Sequence, residues 1–258
     1  MKKVITLLCC MVFAAQCSVV NAQEATMQMW KGGIVTLSYT MAEVDSITFE
    51  STTPVDNSKT VNGHKFVDLR LPSGLLWAET NIGAEIAADA GNYYAWGEVE
   101  PQSSNSYSWT SYKYGSTLSD LTKYNSSDQK TTLEKDDDAA AVNWGDSCRM
   151  PTDNEFAELL SPQNCKWTWA SMTASDGSSI NGYHVISVKN GNSIFLPVSG
   201  CRYDDKLNRS EAGFCWTSSL NSSHSECANE VYFASNDYHY QSYVYRSYGL
   251  PVRPVAKP

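Results

Sequence analysis

Two apolar-rich runs, 183–189 and 192–196, meet at the dipeptide Asn190-Gly191. Both residues accept the positive backbone angles of a tight turn, so the pair predicts a β-hairpin. Four more short runs, 214–218, 230–234, 243–246 and 250–255, follow it between polar turns. One helix signal is strong. In 151–160, Thr152 can accept hydrogen bonds from the free amides of the first turn while Glu155 reaches back, a capping box. Phe156, Leu159 and Leu160 form one apolar stripe, and Asp153 and Glu155 suit the positive helix end. A shorter helix is expected over 136–142, with Asp136, Asp137 and Asp138 read as its start rather than as a cation site. Few helices and many short strands predict a mixed α+β domain. No strand, glycine-rich turn and helix succeed one another as a nucleotide-binding unit requires.

The main domain is expected to start near Val61. Phe66, Leu69, Leu71, Leu75, Leu76 and Trp77 give two strand-like pieces around the turn Pro72-Ser73-Gly74. Ahead of it, 23–50 reads as a short β-rich leader, with strands over 27–30, 34–39 and 44–49 and a hairpin at Gly32-Gly33. Residues 51–60, polar and holding Pro54, read as a linker. Residues 101–130 lack periodicity and read as a surface excursion. The excess in this chain is aromatic, with eight Trp and fifteen Tyr. Trp77, Trp96, Trp144, Trp167, Trp169 and Trp216 are assigned to the core of a helix-poor domain. Arg253, set among apolar residues, is expected to belong to a buried ion pair.

Residues 1–22 read as a signal peptide. Lys2 and Lys3 precede the apolar stretch 4–15, which is too short to span a bilayer, and Val20-Asn21-Ala22 supplies a small-residue cleavage pattern. Gln16 before Cys17 argues against lipoprotein anchoring. The mature chain is therefore expected outside the cytoplasm, at the cell surface, in the periplasm or in the medium, with no transmembrane span. Losing the two lysines takes the net charge from -9 to -11, and no basic stripe exists, which argues against a nucleic-acid partner. Cys148, Cys165, Cys201, Cys215 and Cys227 remain. They allow fifteen ways to form two disulfides and leave one thiol, and buried free thiols are equally open. Their spacings lack the close pairs of a zinc site.

The run 66–78, FVDLRLPSGLLWA, resembles the Fibrobacter succinogenes major paralogous domain of secreted Bacteroidetes and Fibrobacter proteins. Also similar, in the same order, are Tyr94-Ala95-Trp96-Gly97-Glu98, the stretch RMPTDNEF over 149–156, Gly182-Tyr183, SIFLP over 193–197, Trp216-Thr217-Ser218-Ser219 and GLPVRPV over 249–255. The resemblance covers roughly 61–256. It implies an α+β, C-type-lectin-like fold related to the formylglycine-generating enzymes, here behind a short N-terminal β segment. Those enzymes share the Arg-x-Pro-Thr-x-x-Glu-aromatic start matched by Arg149, Pro151, Thr152, Glu155 and Phe156, which lies on scaffold and supports fold rather than chemistry.

No catalytic residue, cofactor or metal ligand is assigned. The related oxidases bind copper through two close cysteines, whereas Cys215 and Cys227 stand twelve apart in unlike surroundings. His64, His184, His224 and His239 lack a nucleophile motif, and the sugar-binding tripeptides of C-type lectins are absent. The candidate ligand-binding segment is 236–248, with Asn236, Asp237, Tyr238, His239, Tyr240, Tyr243, Tyr245, Arg246 and Tyr248. In an extended strand Tyr238 and Tyr240 share a face, as do Tyr243 and Tyr245. Tyrosine gives rigid contact area with a hydroxyl, suiting a glycan or a surface protein. The expected function is thus non-catalytic binding or adhesion. Three alternatives stand beside it: a divergent metal oxidase, a purely structural module, and a ligand face over 221–248 diversified by a retroelement.

Overall fold

The computed structural model describes residues 3–8, 26–31, 34–40, 44–50, 58–103 and 106–258, in two compact units, 1–56 and 57–258. In the first unit β1 (Lys3–Leu8) lies parallel to a later strand, β2 (Thr26–Lys31) pairs antiparallel with β3 (Ile34–Thr40), and β4 (Val44–Glu50) is the partner of β1. The three expected leader strands are thus present. The cleavage site at 20–22, Cys17 and the glycine pair at 32–33 lie outside the described residues.

The second unit opens with β5 (Ser58–Val61), β6 (His64–Asp68) and β7 (Leu76–Ala78). Ser58, Lys59 and Thr60, expected in the linker, are instead strand, because Asn62 and Gly63 close a two-residue turn at φ 50° and 82° that folds β5 onto β6. Helix α1 (Ala139–Trp144), β8 (Cys148–Arg149) and helix α2 (Asp153–Leu160) follow. Then come β9 (Cys165–Thr173), β10 (Ser179–Ser187), β11 (Ser193–Pro197), β12 (Cys201–Tyr203) and β13 (Lys206–Asn208). The chain ends through β14 (Ala212–Leu220), β15 (Cys227–Ala234), β16 (Tyr238–Tyr245) and β17 (Val255–Ala256). With 38% strand and 10% helix the protein is β-rich. One sheet has the order β5-β6-β7-β17-β8, a second β11-β10-β9 and a third β14-β15-β16.

The Asn190-Gly191 hairpin forms, but with a wider loop than a two-residue turn: Ile186 pairs with Ser193, and the Ser187 amide donates to the Asn192 carbonyl. Side chains of Asn190 and Asn192 both donate to the Asp68 carbonyl, so the loop is shaped by a tertiary anchor. Helix α2 carries its capping box, Thr152 and Glu155 exchanging bonds at 3.3 and 2.7 Å. Arg149 grips the same Glu155 in a two-pronged pair at 2.6 and 2.7 Å, which makes the Arg-x-Pro-Thr-x-x-Glu pattern a structural clamp. The shorter helix starts later than expected. Lys135–Asp137 forms a 3-10 turn, and Asp138 caps α1 by accepting from Ala140 and Ala141.

The third sheet separates two cores. Phe214, Trp216 and Ala228 face one with Tyr94, Trp96 and Trp144; Cys215, Val231 and Phe233 face the other with Trp77, Phe156 and Trp167. Five of the six assigned tryptophans are buried, and Trp169 packs half-buried on the second core. Arg253 corrects an expectation: it is fully buried but has no carboxylate partner among the described residues. Its guanidinium donates to Asn81 Oδ1 and to the carbonyls of Ala78, Glu79 and Phe195 at 2.8 to 3.0 Å. Neutral oxygens satisfy the charge, and burial brings its pKa down to about 10.

Residues 101–130 are no mere surface excursion. Tyr107, Tyr112, Tyr114 and Tyr124 are buried in the first core. Tyr114 and Tyr124 donate to the Asp137 carboxylate, which also receives Lys113 and Lys123. The segment lacks periodicity because its tyrosines are held by scattered polar anchors, the Tyr93 and Trp96 carbonyls and the Asp137 carboxylate, rather than by one regular element.

Candidate binding site

The hairpin of β15 and β16 presents the tyrosine-rich segment. Asn236 and Asp237 form its exposed turn, both in the left-handed region at φ 63° and 65°. Short polar side chains tolerate that conformation by bonding locally, so turn-making accounts for the pair. Beyond the turn, β16 is the outer strand of its sheet. Its alternation sends Tyr238 and Tyr240 to one face and Tyr243 and Tyr245 to the other. All four rings are substantially exposed, at 60%, 48%, 49% and 38%. The expected surface is therefore two patches on opposite sides of one strand.

The tip patch is loosely held. Tyr240 leans on Tyr232 with centroids 5.2 Å apart. The base patch is tied by rings. His224 stacks on Tyr243 at 5.4 Å, Tyr245 stands edge-on to Trp109 at 6.0 Å and to Tyr248 at 5.7 Å, and Tyr248 stacks on Tyr203 at 4.9 Å.

Three of the nine sequence-assigned residues do not present themselves as expected. His239 is half-buried and lies flat on Trp167, 4.6 Å away with planes 2° apart, and burial lowers its pKa. Tyr248 is half-buried against Tyr203. Arg246 is the largest correction, because it is fully buried. Strand β16 ends at Tyr245, and the next backbone amide turns inward to donate to the Glu226 carbonyl at 3.0 Å. The guanidinium then bonds Tyr112 Oη and the carbonyls of Lys123, Tyr124 and Ser225 at 3.0 to 3.1 Å. The faces of Trp96, Tyr112 and Tyr124 surround it within 5.1 to 5.8 Å. Arg246 thus fixes the base of the strand and touches no solvent.

Three further residues adjoin the base patch: Arg209, which sequence reasoning did not find, and His224 and Glu226, which it held only within the 221–248 alternative. Arg209, His224 and Glu226 line a cleft of about 360 Å³ together with Tyr243, Tyr245 and Tyr248. His224 Nδ1 lies 3.5 Å from Glu226 Oε1. For His224 and Glu226 the signal was the polar stretch before β15, whose residues return beside β16 because the two strands pair; Arg209, ahead of β14, carried none.

The cysteine pair of the oxidase alternative is spread out. Cys215 stands opposite Val231 on β15, four residues along from Cys227, roughly 13 Å at the rise of a strand. Burial pushes the Cys215 thiol up to about 12 and the Cys227 thiol up to about 11. Comparison of the chain with protein-family models, with curated proteins and with solved structures returns no match in any of the three.

Proposed function

We propose that this is an exported, non-catalytic binding or adhesion protein of C-type-lectin-like fold, which recognises a glycan or a surface protein through the tyrosines of β16. The observation that carries the reading is the exposure of four tyrosine rings on an outer strand whose base is locked by the buried Arg246. Large rings on a rigid support lose little freedom on binding, so most of their contact area contributes to affinity. The wide spacing of Cys215 and Cys227, with both thiols held protonated, supports binding over copper chemistry, since one ion needs its sulfurs within about 2.3 Å.

Binding is tested on glycan and surface-protein arrays with the chain starting at Gln23, alongside a variant carrying Tyr238→Ser, Tyr240→Ser, Tyr243→Ser and Tyr245→Ser. The variant should keep its circular dichroism spectrum and lose the ligand. Retention of every ligand by the folded variant would favour the purely structural reading, for which the contact of Tyr245 with Trp109 is the specific support.

A further inference from the structure

The geometry points to the cleft at the base of β16 as a site for a neutral carbohydrate, one or two sugar rings deep. This inference rests on the binding function proposed above and narrows it to one end of the strand and one ligand class.

The cleft combines two unspent resources. Its aromatic faces are already positioned: Tyr243 is backed by His224, Tyr248 by Tyr203, and Tyr245 is braced between Trp109 and Tyr248. Ring contacts alone hold these side chains, and the hydroxyls of Tyr243, Tyr245 and Tyr248 make no hydrogen bond among the described residues. The polar groups are equally uncommitted. Arg209 is exposed and sits at φ 49° just past β13; its carbonyl accepts from the Ala212 amide at 3.0 Å, while its side chain makes no hydrogen bond or ion pair among the described residues. Among the described residues the Glu226 carboxylate is engaged only by His224 at 3.5 Å, while its backbone carbonyl accepts from the Arg246 amide.

A sugar ring has an apolar C–H face and a rim of hydroxyls that both donate and accept. The apolar face suits the tyrosine planes. The rim suits a guanidinium that only donates beside a carboxylate that only accepts. Arg209 and Glu226 cancel in charge, and the chain as a whole carries -9, so the cleft offers an acidic sugar no net attraction. The volume of about 360 Å³ lies at the lower end of small-ligand sites, which suits a short saccharide better than a folded partner.

The test is titration of the chain starting at Gln23 with a panel of neutral hexose and N-acetylhexosamine oligosaccharides, with uronic-acid oligosaccharides as the charged arm. At least one neutral saccharide should bind. Arg209→Ala, Glu226→Gln and Tyr243→Ala should each weaken it roughly tenfold, the equivalent of one lost polar or stacking contact. Tyr238→Ala with Tyr240→Ala, at the far end of the strand, should leave it unchanged. Because Arg209 and Tyr243 are exposed, these variants keep the fold, which unchanged melting confirms. Selective binding of uronic-acid chains would overturn the neutral-sugar assignment. A protein ligand dependent on Tyr238 and Tyr240, with no saccharide bound, would overturn this inference and leave the broader proposal standing. Absence of any ligand among the saccharides and on the surface-protein array would sink both.

Discussion

Tyr112 accepts the Nε–H of Arg246 at 3.0 Å while donating its own hydroxyl proton to the Trp96 carbonyl at 2.7 Å. A buried cation is thereby wired through one phenol to the backbone of the opposite core wall, and through its other nitrogens to Lys123, Tyr124 and Ser225. The candidate binding strand inherits its rigidity from this junction.

Arg246→Met should therefore destabilise the protein by about 3 kcal/mol or more, since several buried carbonyls lose their donor at once. Arg246→Lys should recover little, because one ammonium cannot reproduce the planar fork that reaches three carbonyls and a phenol. Calorimetric melting of both variants checks this. A Lys variant as stable as the parent would show that charge alone, without the fork, holds the site.

Asp137 should make stability sensitive to acid. Burial pushes its carboxyl up, but hydrogen bonds from Lys123, Tyr114, Tyr124 and Lys113 outweigh that and hold it at about 2. Its folded pKa lies below the unfolded one, so the stabilisation is present above about pH 4 and is lost as pH falls towards 2. The contribution is roughly 2 kcal/mol. Urea unfolding of Asp137→Asn should show lower stability at pH 6 and a flatter profile between pH 4 and 2.

Glu230 should act in the opposite sense. It is fully buried on β15, with one oxygen bonded by Ser242 and the other unpartnered, and burial raises its pKa to about 8. The folded pKa exceeds the unfolded one, so the protonated acid is favoured by folding, and stability should fall as pH rises from about 4.5 to 8. Glu230→Gln keeps the shape and removes the titration. It should be more stable than the parent at pH 8, by about 1–3 kcal/mol, and similar to it at pH 4. Equal stabilities at pH 8 would mean that the carboxylate is solvated after all.

All five cysteines of the second unit are buried free thiols. Protein beginning at Gln23 should show no thiol reactive to a soluble disulfide reagent when folded, and five once denatured without reductant. Three instead of five would reveal a disulfide.

The three Asn-Gly pairs of the second unit show how much of the fold was legible. Asn62-Gly63 makes the tight two-residue turn, Asn190-Gly191 a wider loop anchored on Asp68, and Asn181-Gly182 lies inside β10. The middle of a strand accepts Gly182 because the Leu196 carbonyl and the Phe195 ring would lie within 2.3 to 2.6 Å of any added Cβ. One dipeptide thus has three outcomes set by tertiary neighbours. The α2 capping box and the tryptophan core were readable because they depend on local bonding and on size. The burial of Arg246 was not, because its partners Tyr112, Lys123, Tyr124 and Ser225 lie more than 20 residues away and share no spacing with it. Likewise, alternation placed Tyr238 and Tyr243 on opposite faces, whereas the cleft formed with Arg209 and Glu226 emerges only from strand pairing.

Strand β17 lies between β7 and β8, so Val255 bonds across to Trp77, 178 positions earlier, and to Arg149 on its other side. That sheet is in two pieces until Val255 and Ala256 dock between them. So wide a gap in chain position makes closing the sheet a slow step of folding.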